Sequence, residues 1–159
     1  MDREDELGRV IRQLDAGLRK PRPETSRASV FIPLLPSDNG PAVLFEVRAA
    51  HLKRQPNEVC LPGGHIEPGE DARTAAIRET CEELLVQPEQ LSSIRDLGTI
   101  DGPGGMPLHL FAGILKGYEG DFDAEEVGST FTVPLAWFLE HEPTVYRGDR
   151  KSTRLNSSH

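Results

Sequence analysis

Residues 72–85, ARTAAIRETCEELL, constrain this chain more than any other stretch. The pattern predicts a helix from Ala72 to Leu85, with Asp71 as its N-cap. Glu79, Glu82 and Glu83 then stand at i, i+3 and i+4 and project from one face. Like charges at that spacing destabilise a helix. Ala76, Thr80 and Leu84 mark the opposite face as the buried one. The helix must therefore pack with its carboxylates turned toward something, either bulk water or divalent cations. Hard cations such as Mg²⁺ take carboxylate oxygens and leave their remaining positions to water and substrate phosphates. Gly63-Gly64, just upstream, would let a backbone carbonyl approach the same ions.

The rest of the chain reads as one mixed α/β domain around that helix. Its length of 159 residues suits one domain, and a chain of this size needs no metal or disulfide to fold. Leu7, Val10, Ile11, Leu14 and Leu18 predict an amphipathic helix over 3–20, stopped by Pro21 and Pro23. Residues 28–35 and 41–48 read as strands of a hairpin around Asp38-Asn39-Gly40. Residues 49–57 form a polar loop, and 58–61 a brief strand leading into Pro62-Gly63-Gly64. Further strands fall at 92–100, 107–117 and 131–133, with an acidic loop at 118–127. A short helix over 134–140 has Pro134 at its first position and Trp137 and Phe138 as core residues. The net charge of −8 argues against broad binding to nucleic acid or anionic membranes. An acidic protein that handles phosphate must bring cations to it. Two cysteines, Cys60 and Cys81, suit small buried hydrophobes in a reducing, cytoplasmic setting. The charged start Met1-Asp2-Arg3-Glu4 does not read as a secretory signal, and no apolar run approaches a membrane span.

Spacing adds a resemblance. The segment GHIEPGEDARTAAIRETCEELLV is similar to the signature of the Nudix hydrolases, G-x5-E-x7-R-E-U-x-E-E-x-G-U, where U is a bulky aliphatic residue. Gly64, Glu70, Arg78, Glu79, Glu82 and Glu83 all match. With each residue type near one in ten, that is about one chance match per million frames. Thr80 stands at an aliphatic position and Leu85 where the closing Gly belongs, so a different helix ending or a slightly longer helix is expected. The resemblance implies an α/β/α sandwich with a mixed, curved sheet. It implies hydrolysis of a nucleoside diphosphate derivative with Mg²⁺ or Mn²⁺. Glu79, Glu82 and Glu83 would supply metal ligands, and the carbonyl of Gly63 or Gly64 another. Arg78 and Glu70 match positions that brace one another. A general base would come from the acidic loop, with Glu125 and Glu126 as candidates beside the plainer reading of solvated charge.

The preceding residues narrow the branch. Residues 44–64, LFEVRAAHLKRQPNEVCLPGG, are similar to the second signature of the coenzyme A diphosphatases, roughly L-L-T-x-R-[SA]-x3-R-x3-G-x3-F-P-G-G. Arg48, Ala49, Pro62, Gly63 and Gly64 match, while Lys53, Asn57 and Leu61 replace Arg, Gly and Phe. Lys53 keeps charge without the bidentate fork, and Asn57 tolerates a left-handed turn. This implies cleavage of coenzyme A to 3′,5′-ADP and 4′-phosphopantetheine. Arg48, Lys53 and Arg54, with Gly63 and Gly64, would hold the substrate. Lys53 and Arg54 as solvated loop charges is the other reading. The expected partner is thus a small molecule, with a homodimer admitted and no nucleic acid or membrane. Two competing functions are a Nudix hydrolase of ADP-ribose, nucleoside diphosphate sugars or modified nucleotides, and a non-catalytic nucleotide-binding regulator.

Residues 149–159, DRKSTRLNSSH, show no apolar period and resemble the translation of a sequencing adapter, so they read as a non-native tail. The tail holds three of the 18 Lys and Arg and one of the 26 Asp and Glu, so the remaining 148 residues carry −10. Residues 1–148 are then the Nudix domain, expected to lack a closing C-terminal element that the branch usually carries.

Overall fold

The computed structural model describes residues 3–17 and 26–141. The proposed tail, the chain end at 146–148, Leu18 and the first two prolines lie outside them.

A hairpin organises the sheet. β1 (Ala28–Ser37) and β2 (Gly40–Arg48) meet at Asp38-Asn39 and pair from Ser37↔Gly40 to Leu34↔Val43. Ser37 Oγ donates to the carbonyl of Gly40 at 2.6 Å and accepts from Asn39 N at 3.2 Å, which closes the turn. Beyond Leu34 and Val43 the two strands part. The gap holds residues 59–65. β3 (Val59–Cys60) pairs with β2 at Glu46↔Cys60, and β4 (Gly63–His65) pairs with β1 at Val30↔Gly63. Pro62 sits between them, and Phe31 N donates to its carbonyl at 2.8 Å. Pro suits this place because it has no N–H to satisfy.

The remaining strands complete a mixed seven-stranded sheet. β5 (Leu91–Asp101) runs antiparallel to β6 (Pro107–Leu115), β6 runs parallel to β1, and β7 (Val127–Pro134) runs antiparallel to β2. Register shifts between Ser92 and Arg95 and between Asp96 and Gly98 bend β5.

Alternation sends successive side chains to opposite faces. Phe31, Leu44, Phe111 and Leu115 meet α2 (Ala72–Leu84) on one face. Leu34, Val43 and Ile114 meet Leu7 and Ile11 of α1 (Arg3–Gly17) on the other. The result is an α/β/α sandwich. On the α1 face an apolar cavity of about 290 Å³ lies between Val10, Ile32, Phe45, Leu61 and Phe138.

Three expectations need correction. Trp137 and Phe138 lie on α3 (Leu135–Glu140) and are 46% and 43% exposed, not core residues. The helix is short and lies against β2 and β7 at the rim. There Phe138 reaches Phe45 at 6.4 Å between centroids and Trp137 stacks on His141 at 4.2 Å. Pro134 is the N-cap of α3 and not its first residue. Leu85 neither lengthens α2 nor changes its ending. It adopts the left-handed conformation itself, at φ 53° and ψ 45°, and its N–H reaches the carbonyl of Cys81. A non-glycine residue there costs roughly 1–2 kcal/mol.

Candidate metal centre

Asp71 starts α2 as expected, its Oδ1 accepting from Thr74 N at 2.7 Å; that backbone bond holds its carboxyl below the usual range. Thr80 Oγ1 turns inward and donates to the carbonyl of Ala76 at 2.7 Å. Ala72, Ala75, Ala76 and Leu84 bury the helix against the sheet, which points the glutamates at the parted strands of the hairpin.

Carboxylate oxygens of Glu79, Glu83 and Glu126 lie within 4.8 Å of one another. Two of the three helix glutamates are thus brought together with a loop glutamate. Glu82 is not in that group. Its side chain is 58% exposed, and its Oε2 stands 3.6 Å from Arg78 Nη1. Glu126, of the two loop candidates, is the one that enters. Glu125 instead offers its carbonyl to His51 Nε2 at 2.8 Å.

The two glycines make the close approach possible. A Cβ on Gly64 would lie 2.6 Å from Cδ of Glu79, and one on Gly63 would lie 2.4 Å from the carbonyl oxygen of Ser29. Gly63 N donates to Glu83 Oε2 at 3.4 Å. A side chain on Gly64 would push the Glu79 carboxylate off the backbone, and one on Gly63 would collide with β1 at Ser29 and Val30.

Arg78 fixes the near side of the cluster. It donates to both Glu70 oxygens, from Nε at 2.8 Å and Nη2 at 3.0 Å, to Glu79 Oε1 at 2.7 Å and to the carbonyl of His65 at 3.2 Å. The guanidinium pulls the Glu70 carboxyl down to about 2.

Arg48 holds the loop that follows β2. It donates from Nε and Nη2 to the carbonyl of Arg54 at 3.3 and 3.1 Å, and from Nε to that of Gln55 at 3.2 Å. Gln55 and Asn57 take left-handed conformations at φ 51° and 61°, as Asn57 was expected to tolerate. Lys53 and Arg54 are exposed on this loop. Ala49 N donates to the carbonyl of Glu126 at 2.9 Å, which ties the loop to the carboxylate cluster.

One residue of the site escapes the motif. Glu46 lies on β2 in register with Leu44, facing α2, and is 1% exposed. Its signal in the sequence is a lone charge inside the apolar run 42–47. Burial pushes its carboxyl up, and pushes that of the facing Glu83 up to about 11, where Glu46 and Glu79 add repulsion. Burial followed by Glu79 also raises Glu126. Cys60 beside Glu46 is half-buried, and burial lifts its thiol to about 12, so it stays protonated. The cluster concentrates more negative charge than it can carry bare. Such a donor set of hard oxygens fits Mg²⁺ or Mn²⁺.

The family model described as NUDIX domain matches residues 25–155. The peroxisomal coenzyme A diphosphatase NUDT7 of Mus musculus is 33% identical over 144 residues, covering 89% of this chain and 60% of that protein. Nudix hydrolase 3 of Caenorhabditis elegans is 33% identical over 118 residues, 69% of this chain and 48% of that protein. The chain thus spans roughly half to two thirds of the curated relatives it matches. Among solved structures, the NUDIX domain of Shewanella oneidensis NrtR with ADP ribose superposes with a TM-score of 0.57 at 18% identity, over 82% of this chain and 87% of that one. A C. elegans Ap4A hydrolase superposes with 0.56 at 21%, over 69% and 81%. Those likenesses are of fold.

Proposed function

The chain belongs to the NUDIX domain family, and from that premise we propose that it is a metal-dependent pyrophosphohydrolase that cleaves coenzyme A to 3′,5′-ADP and 4′-phosphopantetheine. The observation that carries hydrolysis is the Glu79–Glu83–Glu126 cluster, with Glu79 against Gly64 and Glu83 within reach of Gly63 N on β4. These three residues would hold Mg²⁺ or Mn²⁺, with Glu82 and the carbonyl of Gly63 or Gly64 kept as further ligands. When bound, the cation offsets charge that develops on the pyrophosphate oxygens. Glu126 enters the cluster from the loop side and is the proposed base that orients the attacking water. Arg78 and Glu70 brace the helix side of the cluster.

The choice of coenzyme A rests on the match of Arg48, Ala49, Pro62, Gly63 and Gly64 to the second signature, and on the relation to NUDT7. In this reading Arg48 shapes the loop, and the exposed Lys53 and Arg54 present cations to the 3′-phosphate. The half-buried free thiols suit a reducing compartment, the cytoplasm in the first instance.

The test is a substrate panel with Mg²⁺ and, separately, Mn²⁺, following release of 3′,5′-ADP. Coenzyme A should exceed ADP-ribose and nucleoside diphosphate sugars by about tenfold or more in kcat/KM, roughly 1.4 kcal/mol of differential transition-state binding. ADP-ribose cleaved faster than coenzyme A overturns the substrate. No cleavage of any pyrophosphate with either ion overturns the hydrolase.

A further inference from the structure

Four hydrogen bonds pin the two peptide groups that flank the Cα of Glu126. In the group before it, Glu126 N donates to the carbonyl of Asp123 at 3.1 Å, and the carbonyl of Glu125 accepts from His51 Nε2 at 2.8 Å. In the group after it, Val127 N donates to the same Asp123 carbonyl at 2.9 Å, and the carbonyl of Glu126 accepts from Ala49 N at 2.9 Å. A carbonyl oxygen only accepts, so Nε2 of His51 carries the proton. With both peptide planes held at both ends, φ and ψ of Glu126 are fixed, which sets the direction in which its side chain leaves the turn. Three of the four bonds join backbone to backbone. The fourth is the one that a side chain supplies, across 74 residues of sequence.

We propose that His51 is a positioning residue for Glu126, its ring N–H fixing the peptide group from which that carboxylate is aimed into the cluster. This rests on the reading of Glu126 as the base that orients the attacking water. Two further observations support it. His51 stands on a loop that Arg48 ties from within, through the carbonyls of Arg54 and Gln55. The two segments also lie in contact, for a Cβ on Gly128 would stand 3.4 Å from the Cα of Ala49. The same loop carries Lys53 and Arg54, the cations proposed for the 3′-phosphate, so the hold on the substrate and the aim of the base share one piece of chain. Misplacing a reacting group by about 1 Å can slow turnover by about a hundredfold. His51 is exposed, so changing it removes little buried packing.

The variants are His51→Ala, which removes the donor, and His51→Gln, whose side-chain amide reaches about as far and can donate to the same carbonyl. Turnover is followed with saturating Mg²⁺ on whichever pyrophosphate the unsubstituted protein cleaves fastest. In His51→Ala kcat should fall about tenfold or more with KM held within about twofold, and in His51→Gln kcat should return to within about threefold. An unchanged kcat in His51→Ala overturns the proposal, and so does a rise in KM alone, which would make His51 a substrate contact. His51→Gln as slow as His51→Ala overturns the donor role. Hydrogen exchange without metal or substrate reads the hold directly. The amides of Ala49, Glu126 and Val127 should exchange about tenfold faster in His51→Ala and at the unsubstituted rate in His51→Gln, while those of β6 keep their protection in both. Equal exchange of the loop amides in all three proteins overturns the proposal. If the unsubstituted protein cleaves no pyrophosphate, the functional reading has failed, and the exchange rates still decide the hold.

Discussion

Burying Glu83 against Glu46 makes metal-free stability depend on pH in an unusual direction. The carboxyl of Glu83 is raised to about 11 in the fold, against 4.5 for the unreacted group. Between those values the native state keeps a proton that the unfolded chain has lost. Stability contributed by that proton is fully present below about 4.5 and declines as pH rises toward about 11. One retained proton sets a slope of at most about 1.4 kcal/mol per pH unit. Glu46, whose carboxyl is raised in the same direction, shares that proton, so the pair keeps about one proton in all and the change is about 4 kcal/mol between pH 5 and 8. That is a large part of the 5–15 kcal/mol typical of a domain. The assay is urea unfolding in EDTA at pH 5, 6, 7 and 8, on the unsubstituted chain and on Glu83→Gln. The variant should be the more stable at pH 8 and should lose most of the slope. Saturating Mg²⁺ should restore about 2–3 kcal/mol at pH 8, as a ligand near a hundred times its Kd does, and far less at pH 5. A metal-free profile that is flat or rises from pH 5 to 8, or the same slope in Glu83→Gln, refutes the reasoning.

Three further outcomes are expected. Leu85→Gly should raise stability by about 0.5–1 kcal/mol, since the left-handed strain exceeds the added chain entropy and a side chain already 57% exposed loses little burial; denaturant melts check it. Gly64→Ala should leave a folded protein whose turnover falls by about a hundredfold or more, because the new methyl group displaces the Glu79 carboxyl; circular dichroism beside a turnover assay separates the two effects. Arg78→Lys should lower both Tm and kcat, because a lysine cannot reach both Glu70 oxygens and Glu79 at once; an unchanged kcat would remove the brace from the site.

Legibility followed the distance over which each feature is decided. The carboxylate helix was readable because covalent spacing alone puts Glu79, Glu82 and Glu83 on one side, and Asp71 caps it locally. Which two of the three turn inward was not readable, because Glu82 is drawn outward by Arg78, whose position depends on Glu70 eight residues away. Glu126 joined the cluster through a backbone bond from Ala49, a contact between distant loops. Alternation along β2 placed Glu46 beside Leu44, yet its burial depends on residues 59–65 filling the fork of the hairpin, a pairing no local pattern encodes. Trp137 and Phe138 are apolar yet stay exposed, because their helix lies at the rim of the sheet, a position that residue type does not encode. At Leu85 backbone geometry prevails over residue preference: the residue itself takes the left-handed cap and its N–H closes onto the carbonyl of Cys81.

The parted hairpin has a consequence for how the chain can be rebuilt. Each of its arms has its own neighbours: β6 and β4 hold β1, while β7 and β3 hold β2. The exposed residues Asp38 and Asn39 join two strands that other elements already keep in place. The chain can therefore be lengthened, relabelled or given new ends at that tip while the carboxylates keep their positions at the opposite end of the fork. A reporter domain inserted between Asp38 and Asn39 would ride on the scaffold at a remove from the chemistry.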